Sequence, residues 1–312
     1  MKLDALFNRV KKNYRRLAPW AEGEGLDAWR IYDQDIPEHR YTVDWYAGRL
    51  QVVHRPGPRA RGGGLRPPEE ALRAGLSEAL GVEPGHIFVK TKAPKVWGRE
   101  QYERREREGA RFEVNEYGLR FWARLDAYVD TGLFLDHRQT RRQVGAEAKG
   151  KRVLNLFAYT GAFTVHAAAG GARETTTVDM SNTYLAWCED NLALNGLAGP
   201  QHRQVRADAV RWLRQARGEW DLVVLDPPSF SASKKMGVPF EVQRDHVDLL
   251  HHVRRLTAPG GVIYFSTHYR AFELDSEVVR GCQVEEITPA SLPPDFRDRQ
   301  IHRCFRLVTP RG

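Results

Sequence analysis

Hydrophobic and polar residues alternate in short runs over the first part of this chain, a pattern that is typical of strands. The runs that predict strands are 29–32, 41–45, 50–54, 86–90, 111–116 and 119–128. Helical spacing replaces this alternation at 69–80 and at the amino terminus. There the apolar residues recur every three or four positions, at Leu3, Leu6, Val10, Tyr14 and Leu17. The pattern predicts a small α+β domain over residues 1–130, with a basic face on its first helix.

From residue 151 onward, apolar runs of strand length alternate with helical patterns. The runs are KRVLNLF, ETTTVD, HRQVRA, WDLVVLD and GGVIYFS, and the helical patterns between them cover 163–169, 182–195, 209–217 and 240–256. Such alternation is typical of a mostly parallel, doubly wound sheet, which binds ligands at the carboxyl ends of its strands. Residues 131–312 are therefore predicted to form a Rossmann-like α/β domain.

Length and composition agree with two soluble domains. The chain has 312 residues, of which 41% are hydrophobic and 28% charged. These are ordinary globular values, and a chain of this length can bury a core without disulfides. Cys188, Cys282 and Cys304 are scattered and form no CxxC pair, so we expect a reducing compartment, the cytoplasm, and no metal site. The uncharged stretch 153–172 contains too many polar residues and glycines for a membrane helix, and no signal peptide is predicted.

The charge balance favours a polyanionic partner. Lys and Arg number 48 against 40 acidic residues, and 38 of the 48 are arginine. Arginine grips phosphate with two donors and stacks on bases, although codon usage explains such a bias equally well. The segment 54–68 combines four arginines with four prolines and four glycines and no acid. It is the better candidate for RNA contact, through Arg55, Arg59, Arg61 and Arg66. The second basic run, 98–111, has five arginines against four glutamates, and most of its charge cancels.

Polar residues follow the ends of the first three predicted strands of the second domain. Gly161 lies in the turn after the first, and Asp179 ends the second, 18 residues further on. An acid at that place accepts hydrogen bonds from ribose hydroxyls, unless it caps the next helix, a role that Ser181 could fill instead. Asp208, after the third strand, suits an adenine amino group or a helix cap. These residues favour an adenosine-containing cofactor without separating NAD from S-adenosylmethionine.

The fourth strand separates the two cofactors, because it continues into Asp226-Pro227-Pro228-Ser229-Phe230. Two prolines fix the backbone and remove two amide donors, which leaves a rigid ledge of carbonyl oxygens. An acid before the ledge can hydrogen-bond a planar base, and an aromatic ring after it can stack on that base. The D-P-P-x-[FY] pattern at this place predicts methylation of a nucleobase or amide nitrogen from S-adenosylmethionine. We take Asp226, Pro227, Pro228 and Phe230 as the catalytic candidates.

With these motifs the chain resembles the 7-methylguanine-forming half of the bifunctional large-subunit rRNA guanine methyltransferases. The similar strings are DTGLFLDHR (130–138), NLFAYTGAFTVHA, TTTVDMSNTYL, DPPSFSASKKM, FEVQRDH (240–246) and DFRDRQIHRC. The resemblance covers nearly the whole chain. It implies that Asp179 binds the ribose and Asp208 the adenine of the cofactor. The cofactor-binding residues it suggests are Phe134, Asp136, Arg138, Asn155, Phe157, Ala158, Tyr159, Thr160, Gly161, Asp179, Met180, Ser181, Asp208, Ala209 and Asp226. We add Lys234 and Lys235 to the candidate RNA contacts.

The resemblance also implies 23S rRNA, or an assembly intermediate of the large subunit, as substrate. In many bacteria this half follows a THUMP-containing half that methylates guanine N2, and the chain begins at the start of the second half. We therefore expect a separately encoded guanine-N2 methyltransferase as a possible partner, and no membrane association.

Three alternatives lead to different chemistry. Cytosine C5 methylation needs a cysteine that adds to C6. In related enzymes that cysteine follows the fifth strand, where this chain has Thr267. Guanine N7 carries a lone pair and no proton, so it needs positioning rather than a base. Methylation at guanine N2 is the second alternative, since the D-P-P-x-[FY] pattern serves it too. A non-catalytic RNA-binding assembly factor is the third. His268 could be offered as a base, but we interpret it as a hydrogen-bonding bystander in a loop.

Overall fold

The computed structural model describes residues 3–56, 68–91, 110–126, 131–231 and 239–311. The chain divides into two compact units. The first comprises Met1–Leu135 together with Pro294–Asp298, and the second comprises Asp136–Pro293 together with Arg299–Gly312. The short segment Pro294–Asp298, which the sequence placed in the second domain, therefore belongs to the first unit.

The first unit packs two helices on a four-stranded sheet, with a separate hairpin. Strands β1, β2 and β3 are antiparallel neighbours, and β4 joins β3 in parallel. β5 and β6 form the hairpin. The bounds are α1 Asp4–Gly23, β1 Ala28–Asp33, β2 Tyr41–Tyr46, β3 Arg49–His54, α2 Glu69–Leu80, β4 Ile87–Thr91, β5 Phe112–Glu116 and β6 Leu119–Ala123.

The core of this unit lies between the helices and the sheet. In α1 the apolar residues at helical spacing, among them Leu6, Val10 and Leu17, are buried and pack against the strands. This burial confirms the amphipathic helix predicted for the amino terminus. The helix is held to the sheet by the hydrophobic effect, which stabilises by roughly 25 cal/mol per Å² of apolar surface removed from water.

A buried arginine ties the segment Pro294–Asp298 into the first unit. The Arg30 guanidinium donates to both carboxylate oxygens of Asp44, at 2.7 and 3.1 Å, and to Asp33 at 3.2 Å. The Arg30 amide donates to Asp295, and its guanidinium lies 4.3 Å from the centre of the Phe296 ring. A bidentate pair of this kind satisfies charges that burial would otherwise penalise.

The second unit is a seven-stranded, mostly parallel sheet with helices, in the order β14-β15-β13-β10-β7-β8-β9. β7, β8, β9, β10 and β13 run in parallel, and β15 and β14 are antiparallel additions. The bounds are α3 Arg138–Glu147, β7 Arg152–Leu156, α4 Ala162–Ala169, β8 Glu174–Asp179, α5 Asn182–Leu194, β9 His202–Arg206, α6 Ala209–Gln215, β10 Trp220–Leu225, β11 Phe230–Ser231, β12 Phe240–Glu241, α7 Val242–Leu256, β13 Thr257–Thr267, β14 Gln283–Glu286, α8 Thr288–Ser291 and β15 Arg303–Val308.

This arrangement confirms the predicted doubly wound fold. The five parallel strands are those expected from the apolar runs, and the four predicted helices follow them closely. β10 pairs with β7, so the strand order reverses between these two central strands. A ligand site forms at such a reversal, outside the carboxyl ends of the strands.

Three features of the second unit were not predicted. Helix α3 has few apolar residues, and its buried face includes Arg138 and Arg141, so its sequence lacks a hydrophobic stripe. All four residues of β14 are exposed, and no alternating pattern marks that strand. β15 buries Cys304, Phe305 and Leu307 and returns antiparallel to β13, which the strand–helix alternation did not indicate.

The predicted strand 119–128 is shorter than expected, since β6 ends at Ala123. In the described part of the chain, no helix combines the length and apolar composition needed to cross a membrane.

Candidate functional site

The loop after β7 has an unusual backbone. Phe157 and Tyr159 have φ of +57° and +51°, and Gly161 follows with +73°. Side chains other than glycine rarely adopt this left-handed region, and such residues persist only where the surroundings hold them. The loop therefore has a fixed, strained shape at the carboxyl end of a central strand, where a ligand of this fold would contact its backbone.

Buried polar side chains hold this loop in place. Asn155 donates to Thr164 at 3.0 Å, and the Thr164 hydroxyl is 2.8 Å from that of Thr177 on β8. Asn191 on α5 donates to the Thr160 carbonyl at 3.0 Å. Asn155 thus supports the loop, because its amide links the end of β7 to Thr164 of α4.

Asp179 lies at the end of β8 beside the loop. Its two carboxylate oxygens accept one amide hydrogen bond each, from Tyr159 at 2.9 Å and from Ser181 at 2.8 Å. Burial raises the pKa of Asp179, and these amides oppose that rise. Ser181, not Asp179, caps α5 by accepting from the Tyr184 amide. A carboxylate has about four acceptor sites, so Asp179 keeps acceptor capacity beyond the two amide hydrogen bonds from Tyr159 and Ser181.

Asp208 is a helix cap. One of its oxygens accepts from the amides of Val210 at 2.9 Å and Arg211 at 3.3 Å, at the start of α6. Of the two roles considered for Asp208, the structure shows the cap. The neighbouring Ala209 is buried.

The acid and prolines after β10 lie where the strand order reverses. The Asp226 side chain is 19% exposed, Pro227 is buried and Pro228 is exposed. Ser266, at the end of β13, donates to Asp226 Oδ1 at 2.6 Å. Phe230 is half-buried in β11, where it pairs with Glu241 of β12. The carboxylate is therefore oriented by a neighbouring strand and remains partly open to solvent.

Beside Asp226 lies a group that we call the histidine cluster: Asp136, His137, His268 and His302. Asp136 Oδ2 accepts from His268 Nε2 and His302 Nδ1, both at 2.9 Å. Burial alone would raise the pKa of Asp136, but the neighbouring histidines and these hydrogen bonds hold it well below its usual range. Asp136 is thus a buried carboxylate whose partners are imidazoles.

His137 is the innermost member of the cluster. Its side chain is 1% exposed, and neither ring nitrogen has a hydrogen-bond partner. The ring lies parallel to that of His302, with centroids 4.3 Å apart and planes 6° apart. Burial lowers the pKa of His137 to about 4, against the attraction of Asp226. The imidazole is therefore neutral near neutral pH.

The ring nitrogen Nε2 of His137 lies between two carboxylates, 3.6 Å from Asp226 Oδ2 and 3.8 Å from Asp136 Oδ2. The potential ligand atoms of the whole cluster fall within 4.8 Å of one another, a spacing that a metal ion could use. The stacked geometry opposes binding of one ion by His137 and His302 together. A metal lies in the plane of each imidazole that binds it, and two parallel, stacked planes do not share one ion.

His268, interpreted from the sequence as a hydrogen-bonding bystander, is part of this cluster. Its side chain, 37% exposed, donates to the buried Asp136 and lies edge-on to His137. His302 continues the network in the other direction, with its Nε2 2.8 Å from the Ser291 hydroxyl. Sequence spacing could not reveal this cluster, because its members come from three distant segments. The string LFLDHR, found through the resemblance, was the one signal for its first two residues.

The other residues predicted to bind the cofactor or RNA lie in different surroundings. Phe134, in the first unit, is exposed, whereas Arg138, in the second, is fully buried. Arg55, which follows β3, is half-buried, its Nε has no hydrogen-bond partner, and burial lowers its pKa. Candidate RNA contacts outside the described residues are Arg59, Arg61, Arg66, Lys234 and Lys235.

The cysteines are buried or partly buried thiols. Burial raises the pKa of Cys188 and Cys304 to about 12 and raises that of Cys282. Cys304 lies directly opposite Ser266 in the β13–β15 ladder, closer to Asp226 than its position in the sequence suggested. It is nonetheless fully buried and protonated, so it is not a nucleophile facing a substrate.

Comparison with known proteins places the chain in a family. The family model described as S-adenosylmethionine-dependent methyltransferase matches residues 86–290. Ribosomal RNA large subunit methyltransferase K/L of Vibrio parahaemolyticus serotype O3:K6 is 46% identical over 97% of this chain, which covers 43% of that relative. The protein of the same name from Vibrio campbellii is 45% identical with the same coverage. The chain thus spans less than half the length of these curated relatives.

Solved structures show the same fold. A methyltransferase from Streptococcus mutans has a TM-score of 0.76 at 22% identity, over 99% of this chain and 82% of its own. A crystal structure of a methyltransferase complexed with SAH matches equally well. A methyltransferase from Agrobacterium tumefaciens has a TM-score of 0.61 at 21% identity, over 91% of each chain.

The described residues fit the cofactor of this family. The strained loop after β7 meets the Asp179 carboxylate, and the carboxylate keeps acceptor directions after binding two amides. Asp226 and its prolines lie at the neighbouring strand end, within the same parallel sheet. On the match of its sequence and on this arrangement, the chain belongs to the S-adenosylmethionine-dependent methyltransferase family.

Proposed function

We propose that this protein methylates a guanine at N7 in the RNA of the large ribosomal subunit, with 23S rRNA or an assembly intermediate as substrate. The curated relatives support the substrate class, since both are named as large-subunit ribosomal RNA methyltransferases. The finer assignment, to the 7-methylguanine-forming half of such proteins, rests on the motifs of the sequence. A separate guanine-N2 methyltransferase would then act as partner.

The observation that carries the proposal is the partly exposed Asp226 beside a neutral imidazole. A carboxylate accepts hydrogen bonds from the N1–H and the N2 amino group of guanine, which adenine does not offer in that form. N7 lies on the opposite side of the base from that edge. A guanine held by Asp226 therefore leaves N7 free to face the methyl donor.

The cofactor supplies the methyl group, and as the new N7–carbon bond forms, the carbon–sulfur electron pair stays on sulfur and the positive charge passes to the base. The protein must then orient the base and exclude water, because N7 gives up no proton. We assign Asp179 to the ribose of the cofactor. Asp208 contributes through its remaining carboxylate oxygen, since the other one caps α6.

Phe230 is our candidate for the stacking partner of a guanine that has swung out of the RNA. It follows the Pro227-Pro228 ledge and is half-buried. Removing a base from its stack costs a few kcal/mol of free energy. Stacking of that base on an aromatic side chain stabilises the complex by roughly 1–3 kcal/mol. Pro227 and Pro228 contribute a rigid backbone with carbonyl oxygens and no amide hydrogens.

Methylation of guanine N2 makes a different demand, because the amino group must release a proton to an acceptor. His137 is the imidazole nearest to Asp226, and its pKa of about 4 makes it a weak acceptor near neutral pH. Cytosine C5 methylation needs a reactive thiolate, which the buried Cys304 does not provide. Both alternatives are less well supported than N7.

Nucleoside mass spectrometry of rRNA from cells with and without this chain tests the proposal. We expect 7-methylguanosine to be the nucleoside that differs, and strand scission by borohydride and aniline at its position. Phe230→Ala and Asp226→Ala should lower turnover on RNA far more than they weaken cofactor binding. A different methylated nucleoside, such as 5-methylcytidine or N2-methylguanosine, would contradict the assignment to N7. Absence of S-adenosylmethionine binding by calorimetry would instead favour a non-catalytic assembly factor.

A further inference from the structure

The Asp226 carboxylate accepts one hydrogen bond and lies near a second group that can donate one, and neither group carries a charge. The Ser266 hydroxyl donates to Oδ1 at 2.6 Å, and Ser266 is buried at the end of β13. On the other side, His137 Nε2 lies 3.6 Å from Oδ2. Among the described residues, no lysine or arginine forms an ion pair with Asp226 within 4.0 Å.

In the part of the chain that the structure describes, the acids near His137 Nε2 are Asp226 and Asp136, at 3.6 and 3.8 Å. Both of its ring nitrogens are buried without a hydrogen bond. A buried donor without an acceptor costs roughly 1–3 kcal/mol, so the position needs an explanation. A shift of a few tenths of an ångström in Asp226 would bring Oδ2 within hydrogen-bond reach of Nε2.

The rest of the histidine cluster keeps His137 in place and keeps positive charge away from Asp226. His302 stacks on the His137 ring and is itself bound to Asp136 and near Ser291. His268 also donates to Asp136. The Asp136 carboxylate therefore pairs with these two histidines, and Asp226 is left to His137 and Ser266.

We propose that His137 and Ser266 are positioning residues, which orient the Asp226 carboxylate without neutralising it, so that its full charge faces the guanine that becomes cationic on methylation. This inference rests on the proposed N7 function. Charge moves from sulfur to the base during transfer, so a fixed anion on the base's hydrogen-bonding edge stabilises the transition state more than the ground state. The depressed pKa of His137 supports this role, since an imidazolium there would cancel the charge of Asp226.

A measurement of nucleotide binding tests the role of the Asp226 charge separately from the rate of methyl transfer. With SAH present, the wild-type protein should bind 7-methylguanosine 5′-monophosphate about tenfold more tightly than guanosine 5′-monophosphate, as one charge-assisted contact implies. Asp226→Asn keeps the shape of the side chain and should remove this preference. His137→Phe keeps a flat ring against His302 but removes the donor, and should reduce the preference to about threefold or less. His137→Gln keeps a neutral donor and should retain most of it.

Single-turnover methyl transfer supplies the second readout. Ser266→Ala and His137→Phe should each slow the transfer step roughly ten- to a hundredfold, while the affinities for RNA and cofactor stay within about twofold. The matched control is His246→Gln, which alters a buried histidine of α7 that is hydrogen-bonded to the Asp275 amide. This control should keep the nucleotide preference and the transfer rate of the wild type.

The outcomes separate the inference from the function on which it rests. If wild-type protein forms a nucleoside other than 7-methylguanosine, the proposed function is wrong. If it forms 7-methylguanosine but Asp226→Asn keeps both preference and rate, the inference alone is wrong. The same conclusion follows if His137→Phe and Ser266→Ala behave like the control. A stoichiometric metal ion in the purified protein, lost in His137→Phe, would assign the cluster to metal binding and overturn the inference.

Discussion

The neutral imidazole of His137 predicts a specific dependence of stability on pH. A histidine that the fold keeps uncharged must be compared with the unfolded chain, where the same group takes up a proton more readily. Its pKa falls from 6.5 to about 4 on folding, chiefly because the ring is buried. The unfolded state therefore binds more protons than the folded state between these two values. The contribution of His137 is complete above pH 6.5 and is lost as the pH falls towards 4.

The size of the effect follows from the two pKa values. Between pH 7 and pH 5 the linkage relation gives a loss of about 2 kcal/mol in the free energy of unfolding, and the full loss below pH 4 is about 3 kcal/mol. The charged and titratable groups that face the ring are Asp136, Asp226, His268 and His302. Asp136 does not titrate in this window, because its pKa lies well below the usual range.

The assay compares the wild-type chain with His137→Gln by urea denaturation at pH 7, 6 and 5, followed by circular dichroism. Wild type should lose about 2 kcal/mol more than the variant on acidification. Other histidines contribute equally to both proteins, including His202, whose pKa is also lowered by burial. His251→Gln, an exposed position on α7, is the control and should behave like wild type. Parallel loss of stability in wild type and His137→Gln would show that His137 is not a buried neutral imidazole.

Three further predictions concern other parts of the second unit. Asp179→Ala should weaken S-adenosylmethionine binding in calorimetry by roughly ten- to a hundredfold, because a charge-assisted acceptor is lost; unchanged affinity in a folded protein would remove Asp179 from the site. Cys304→Ala should leave methyl transfer within about twofold, whereas a thiol-dependent reaction would stop. Gly161→Ala should lower the free energy of unfolding by roughly 2 kcal/mol or more, because φ is +73° and the new Cβ would lie 2.1 Å from Cys188 Sγ. Adding Cys188→Ala should recover part of that loss, and no recovery would show that backbone strain accounts for all of it.

The parallel sheet could be predicted because its determinants are local. β10 and β13 are buried on both faces, so their sequences are continuous apolar runs that end at polar residues. The order of these runs along the chain, with helices between them, leaves few topologies that obey right-handed crossover rules. Asp179 and Asp226 follow directly, since each stands at the end of such a run.

The histidine cluster could not be predicted in this way. Its members are separated by as many as 166 residues, and the pairing of β15 with β13 is what brings His302 beside His137. That pairing is antiparallel, in a sheet whose sequence pattern indicates only parallel strands. The place of the segment Pro294–Asp298 could not be predicted either. It belongs to the first unit through contacts with Arg30, and its own sequence has no periodicity that would indicate them.

The proposed preference for N7 over N2 rests on charge. Transfer to N7 creates a cation and releases no proton, so the useful group is a fixed anion. Transfer to N2 releases a proton, so the useful group is a base whose pKa lies near the pH of the medium. On the proposed function Asp226 supplies this anion, and among the described residues the imidazole that lies beside it, His137, has a pKa of about 4 and is a weak base. The same burial that makes His137 a poor base makes it a neutral donor, and a neutral donor is what leaves the charge of Asp226 intact.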